Sequence, residues 1–215
     1  MPFDFLKRKK GGREAVAPVP ASSASATPDG VAFDGLTEDW RLIGRMLVNG
    51  RVSDALNKRE PINIVDVNWA PIDGSAPLGP APGLRSVDPY DLILVLAGDD
   101  SLPDSSDERT AHRVHKVSYE VALEVPPYRV TGTVYLYPGY EPDSLLSRSS
   151  EMFVPIVDAQ ATIEDRPVGD SAKGTILVNR QYLRGVEQID ARTGERHAKL
   201  PGASMGGVNW TDRAR

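Results

Sequence analysis

The chain has 215 residues, 40% of them hydrophobic and 26% charged, with a formal net charge of −5 and no cysteine. The lack of cysteine excludes disulfides, zinc–thiolate sites and thiol nucleophiles, and the acidic balance argues against a phosphate-binding surface. The longest apolar run, Leu92 to Ala97, is far too short to cross a bilayer, and the length allows two small domains.

Residues 1–30 read as a basic head and a flexible tether. Phe3, Phe5 and Leu6 are followed at once by Lys7, Arg8, Lys9 and Lys10. An aromatic pair beside four cations suits weak contact with an anionic membrane surface or a partner, each cation near such a surface contributing about 1 kcal/mol. The plainer alternative is a solvated, disordered start. No long apolar stretch with a small-residue cleavage site follows, so a cytoplasmic location is expected, peripheral to the membrane if the head binds it. Gly11 to Asp29, rich in Ala, Pro and Ser, reads as the tether.

A first β-domain is expected over 31–97. Leu36 to Ile43 fits either a helix capped by Thr37, with Trp40, Ile43 and Leu47 as its apolar face, or a strand. Ser53 to Lys58 is expected to form a helical turn and Ile62 to Trp69 a strand. Ala70 to Pro89 holds five prolines, Pro71, Pro77, Pro80, Pro82 and Pro89, and is expected to be mobile before a strand over Tyr90 to Leu96. Residues 98–113 form an acidic linker carrying Asp99, Asp100, Asp104, Asp107 and Glu108. The EF-hand spacing is absent there, which favours a solvated linker over a calcium site.

The second β-domain, 114–190, has the clearer pattern. His115 to Val125 alternates Val117, Tyr119, Val121, Leu123 and Val125 with polar residues, the period of a half-buried strand. After Pro126-Pro127, Tyr128 to Tyr137 is dense in β-branched and aromatic residues. Asp143 to Arg148 predicts one helical turn capped by Asp143. Strands are expected over Met152 to Ile163 and Gly174 to Val178, and Tyr182 to Ile189 closes the domain. The tail, 191–215, contains Trp210, a candidate peptide anchor because exposed aromatics often anchor interfaces. A frayed terminus explains it equally well.

The two domains share a pattern. Arg41 to Val48, Asp54-Ala55-Leu56 and Pro61 to Val67 return as Arg129 to Leu136, Asp143-Ser144-Leu145 and Val154 to Ala159, a spacing of about 90 residues that fits a duplicated domain rather than a short solenoid repeat. By this correspondence Arg41 to Val48 is a strand. Gly44 and Gly132 fall in mid-strand, where glycine marks a sharp bend or a close backbone approach.

With its bent second strand, its strand ending Ile156-Val157-Asp158-Ala159 and its segment Thr175 to Val186, the region 114–190 resembles the Sm-like small β-barrels, with a fainter echo over 31–97. The resemblance implies an all-β fold of two tandem five-stranded barrels with short helical turns. It also implies rings, and RNA held by an Asp and Asn in one loop and an Arg-Gly pair in another. Ser149 to Phe153 offers no counterpart of that Asn, and Asn179-Arg180-Gln181 lacks the glycine. From Val114 to Asp190, seven cations face eleven carboxylates, which makes nucleic acid an unfavoured partner.

Chemistry is thinly represented. His112 and His115 lack a shared strand face, and His197 lies in a polar tail. Asp66 and Asp158 occupy matching places and fit either an acid–base pair or turn-capping roles at strand ends. No phosphate loop or nucleophile elbow is present, so no catalytic, cofactor or metal residue is assigned. The expectation is a non-catalytic adaptor or scaffold that engages a protein partner or a second copy, with an Sm-like RNA-binding protein as the alternative.

Overall fold

A computed structural model describes residues 30–97, 116–147, 151–169, 174–190 and 192–195. Within them, twelve strands join one antiparallel sheet, accompanied by one α-helix, α1 (Val52–Asn57). The all-β expectation therefore holds, and the sheet is open.

The first stretch supplies β1 (Val31–Leu36), β2 (Trp40–Met46), β3 (Ile62–Pro71), β4 (Gly79–Pro80), β5 (Ser86–Val87) and β6 (Leu94–Ala97). The second supplies β7 (Val117–Val125), β8 (Tyr128–Leu136), β9 (Phe153–Ile163), β10 (Arg166–Val168), β11 (Gly174–Asn179) and β12 (Gly185–Gln188). Along the sheet the order is β12-β7-β8-β9-β11-β6-β1-β2-β3-β4, with β5 added to β3 and β10 to β9. In each stretch the last strand returns to the first, β6 to β1 and β12 to β7.

The stretches meet where β11 pairs with β6, Val178 opposite Leu94 and Thr175 opposite Ala97. Leu94, Val95, Ile176, Leu177 and Val178 are all buried, as expected of near-continuous apolar runs covered on both faces. Their alternation feeds two cores. Leu94, Ile176 and Val178 pack with Val121 and Val130, whereas Val95 and Leu177 pack with Met46, Leu56 and Ile64.

Strand pairing is irregular at both mid-strand glycines. The β2–β3 register shifts between Ile43 and Arg45, at Gly44, and the β8–β9 register shifts between Thr131 and Thr133, at Gly132. On the facing strands Asp66 and Asp158 adopt φ of 53° and 50°. They are bulge residues inside strands rather than turn caps at strand ends, because a short polar side chain tolerates the left-handed conformation that the extra residue needs.

The strand expected over Arg41 to Val48 from the second copy is found as β2, and the Thr37 hydroxyl accepts from the Trp40 amide at 3.0 Å inside the β1–β2 turn. Local expectations are corrected at three other places. The segment 70–89 holds β4, β5 and the start of a 3-10 turn, Pro89–Asp91, with Ala81, Val87 and Pro89 buried. Residues Tyr90 and Asp91 belong to that turn, so the next strand starts at Leu94. The turn expected at Asp143 is the 3-10 segment Pro142–Leu146, preceded by Glu141 and without a side-chain cap.

Candidate binding surface: the junction and the outer edges

Side chains lock the β11–β6 junction. Asn57, at the end of α1, accepts from the Phe153 amide at 2.8 Å and donates to the Phe153 carbonyl at 3.2 Å, imitating a strand partner for the start of β9. Asn179 is fully buried at the end of β11. Its amide group donates to the carbonyls of Leu92 at 2.8 Å and Pro89 at 3.4 Å, while its Oδ1 accepts from the Gln181 amide at 3.0 Å. Tyr128 donates to the Thr37 carbonyl at 2.6 Å and Tyr182 to the Tyr90 carbonyl at 3.0 Å. Apart from the local Asn179–Gln181 bond, each joins groups that lie about a domain apart in sequence, so each stabilises the pairing of the two stretches.

Burial, reinforced by Asp34 and Asp39, raises the Tyr128 phenol above its ordinary range. Burial, then Asp91 and Glu38, raises Tyr182 in the same sense. Arg180 is buried beside Asn179. Its guanidinium donates to the carbonyls of Leu145 at 2.8 Å and Ser144 at 2.9 Å and also to that of Ser147, clamping the 3-10 segment. Burial lowers its pKa, and Glu151 opposes that shift. The two residues nearest to a nucleic-acid motif in the sequence thus have donors committed to main-chain carbonyls.

The outer side of the first stretch carries aromatic surface. Trp40 and Trp69 stack with centroids 4.7 Å apart and planes 19° apart, yet remain 38% and 42% exposed. The sequence signal for this pair was present, two tryptophans on consecutive strands, but their pairing depends on the β2–β3 register. A second exposed group, Tyr135 within β8 and Tyr137 and Tyr140 just after it, lies at the end of that strand, and the Lys116 ammonium sits 5.2 Å from the Tyr137 ring centroid.

An open cleft of about 390 Å³ lies between the β3–β4 connection and the β9–β10 hairpin, lined by Arg41, Ile72, Asp73, Ile163, Arg166 and Val168 among others. Its cations are engaged within the protein, Arg41 with Asp34 at 2.6 Å and Arg166 with Glu164 at 3.4 Å. Main-chain donation from Ser75 lowers the Asp73 carboxyl.

Among the described residues, no three or more His, Asp or Glu side chains form a potential metal site, and no helix is long and apolar enough to cross a membrane. Phe3, Phe5, Leu6, Lys7, Arg8, Lys9, Lys10, the acidic residues 98–113, the three histidines and Trp210 lie outside the described residues. Gly44 and Gly132 stand where the facing strand approaches closely, a built Cβ meeting main chain at 2.9 Å in each. The chain matches no protein-family model, no curated protein and no solved structure.

Proposed function

We propose that this chain is a non-catalytic binding or assembly protein, an adaptor or scaffold made of two tandem Sm-like β-units fused edge to edge. The observation that carries the reading is the β11–β6 junction, where the fourth principal strand of one unit pairs with the closing strand of the other. Each unit places its closing strand on its first strand and bends its second at a glycine opposite a left-handed aspartate. This order supports the Sm-like resemblance. Sheet edges are general surfaces for protein recognition, and the exposed Trp40–Trp69 stack, beside the outer strand β4, supplies an aromatic anchor for a partner.

RNA binding has less support, because Asn179 and Arg180 are buried and bonded to main-chain carbonyls. Light scattering of the full chain, with the absorbance ratio followed across the peak and an RNA shift assay at low salt, tests the choice. Protein free of nucleic acid that shifts no RNA is expected. Copurifying nucleic acid released by moderate salt transfers the chain to the RNA-binding alternative.

A further inference from the structure

We infer that the outer edges of this sheet reject a second copy of the chain in the mode by which β6 accepts β11, so that the chain is a capped pair of units rather than the repeating element of a ring or filament. The inference rests on the two-unit reading above, which puts the two stretches in register. Leu36 pairs with Arg41 and Leu94, while Glu124 pairs with Arg129 and Gly185. Likewise Val87 pairs with Ile62, and Val178 with Val154. Leu36 therefore corresponds to Glu124, Ile93 to Arg184, Asn179 to Asp88 and Phe153 to Pro61.

At the outer edges, the groups that lock the inner junction are replaced by groups that cannot repeat it. Leu36 and Ile93, fully buried at the junction, become exposed Glu124 and Arg184. Asn179, which donates to two carbonyls through its amide NH2, becomes exposed Asp88, which has no such NH2 group. The Phe153 amide, which donates to Asn57, becomes Pro61, which has no N–H. Asn57 itself, placed by the shared Asp-x-Leu spacing, becomes exposed Leu146.

Tyr128, bonded to the Thr37 carbonyl, becomes Trp40, which lacks the hydroxyl. The strands follow the same rule: β6 is Leu-Val-Leu-Ala, whereas its outer counterpart β12 is Gly-Val-Glu-Gln. Charged and short outer strands are how natural sheets prevent edge-to-edge growth.

The cysteine-free chain makes the test direct. Ala97→Cys with Thr175→Cys places two thiols at a paired position of the inner junction, and Arg85→Cys with Glu187→Cys places them at the outer positions that correspond to the adjacent inner pair, Ile176 and Leu96. Under mild oxidation the first variant is expected to form an intrachain link at one-chain mass. The second is expected to show no more multimer on a non-reducing gel than Ser75→Cys with Glu187→Cys, whose thiols have no corresponding pairing. A ladder of multimers from Arg85→Cys with Glu187→Cys well above that control overturns the inference. Failure of Ala97→Cys with Thr175→Cys to link overturns instead the two-unit junction on which it rests.

Discussion

A Cβ atom added to Gly132 would stand 2.9 Å from the Val157 carbonyl oxygen, with Ala159 Cα also at 2.9 Å and Ile156 Cγ2 at 2.8 Å. Two of these three neighbours are main chain, so the space cannot be opened by rotating a side chain. Gly132→Ala is expected to destabilise the protein by about 2 kcal/mol, within the range for overpacked cores, and to lower Tm by roughly 4–8 °C for a chain of this size. Gly44→Ala, with neighbours at 2.9, 3.2 and 3.2 Å, is expected to give a smaller drop. Thermal unfolding followed by circular dichroism checks both, and an unchanged Tm for Gly132→Ala would show that the two strands separate freely at the bend.

The residue across each bend responds in the opposite way. Asp158 holds φ at 50°, where glycine is at ease and a β-branched residue is not. Asp158→Gly is expected to leave the urea midpoint nearly unchanged, whereas Asp158→Val is expected to cost about 1–2 kcal/mol. Equal losses for the two would instead indicate that the carboxylate, not the backbone angle, sets stability there.

How much of this was legible in the sequence follows from the range of each interaction. The strands over Tyr119–Val125 and Tyr128–Leu136 and the turns after Asp54 and Asp143 are written in neighbouring residues, and all are found, with a register shift beside each of Gly44 and Gly132. Asn57, Asn179 and Tyr128 are different: each bonds to main chain 87 to 96 positions away, and nothing local distinguishes a buried asparagine of this kind from one on a loop. The β11–β6 pairing left a trace in the uninterrupted apolar runs Leu92–Ala97 and Ile176–Val178, but such a run does not name its neighbour. Around Trp40 the local pattern fits a helix and a strand equally, and only the correspondence with Tyr128 to Tyr137 points to the strand that is found, β2.

The tyrosines of the junction predict a loss of stability in alkali. Burial first, then Asp34 and Asp39, raises the Tyr128 pKa in the folded protein, while the unfolded chain releases the phenolic proton near the ordinary value of about 10. The folded state thus binds the proton more tightly, so its stability is full below about pH 10 and falls as pH rises above it. Tyr128→Phe is expected to cost about 1 kcal/mol below that pH, through the lost bond to Thr37, and to flatten the decline above it. Tyr182, raised in the same direction, leaves a weaker slope in the variant. Denaturant midpoints at about pH 8 and pH 11 measure the difference, and parallel declines for wild type and variant would remove Tyr128 as its source.

Arg180 separates the adaptor reading from the nucleic-acid one. Its fork holds the carbonyls of Ser144, Leu145 and Ser147 in place, and bonds from a charged donor contribute about 1.5–3 kcal/mol each. Losses are not additive, so Arg180→Ala is expected to cost about 3 kcal/mol in all. Arg180→Lys keeps the charge but loses the planar fork, and is expected to recover less than half of that loss. A phosphate contact would behave otherwise, because it depends on charge more than on fork geometry: Lys would restore function, and Ala would leave folding intact. Tm for the three proteins, measured alongside an RNA shift at low salt, distinguishes the two. A variant Arg180→Ala that melts like the wild type but has lost RNA retention would assign the residue to nucleic acid and withdraw the adaptor reading.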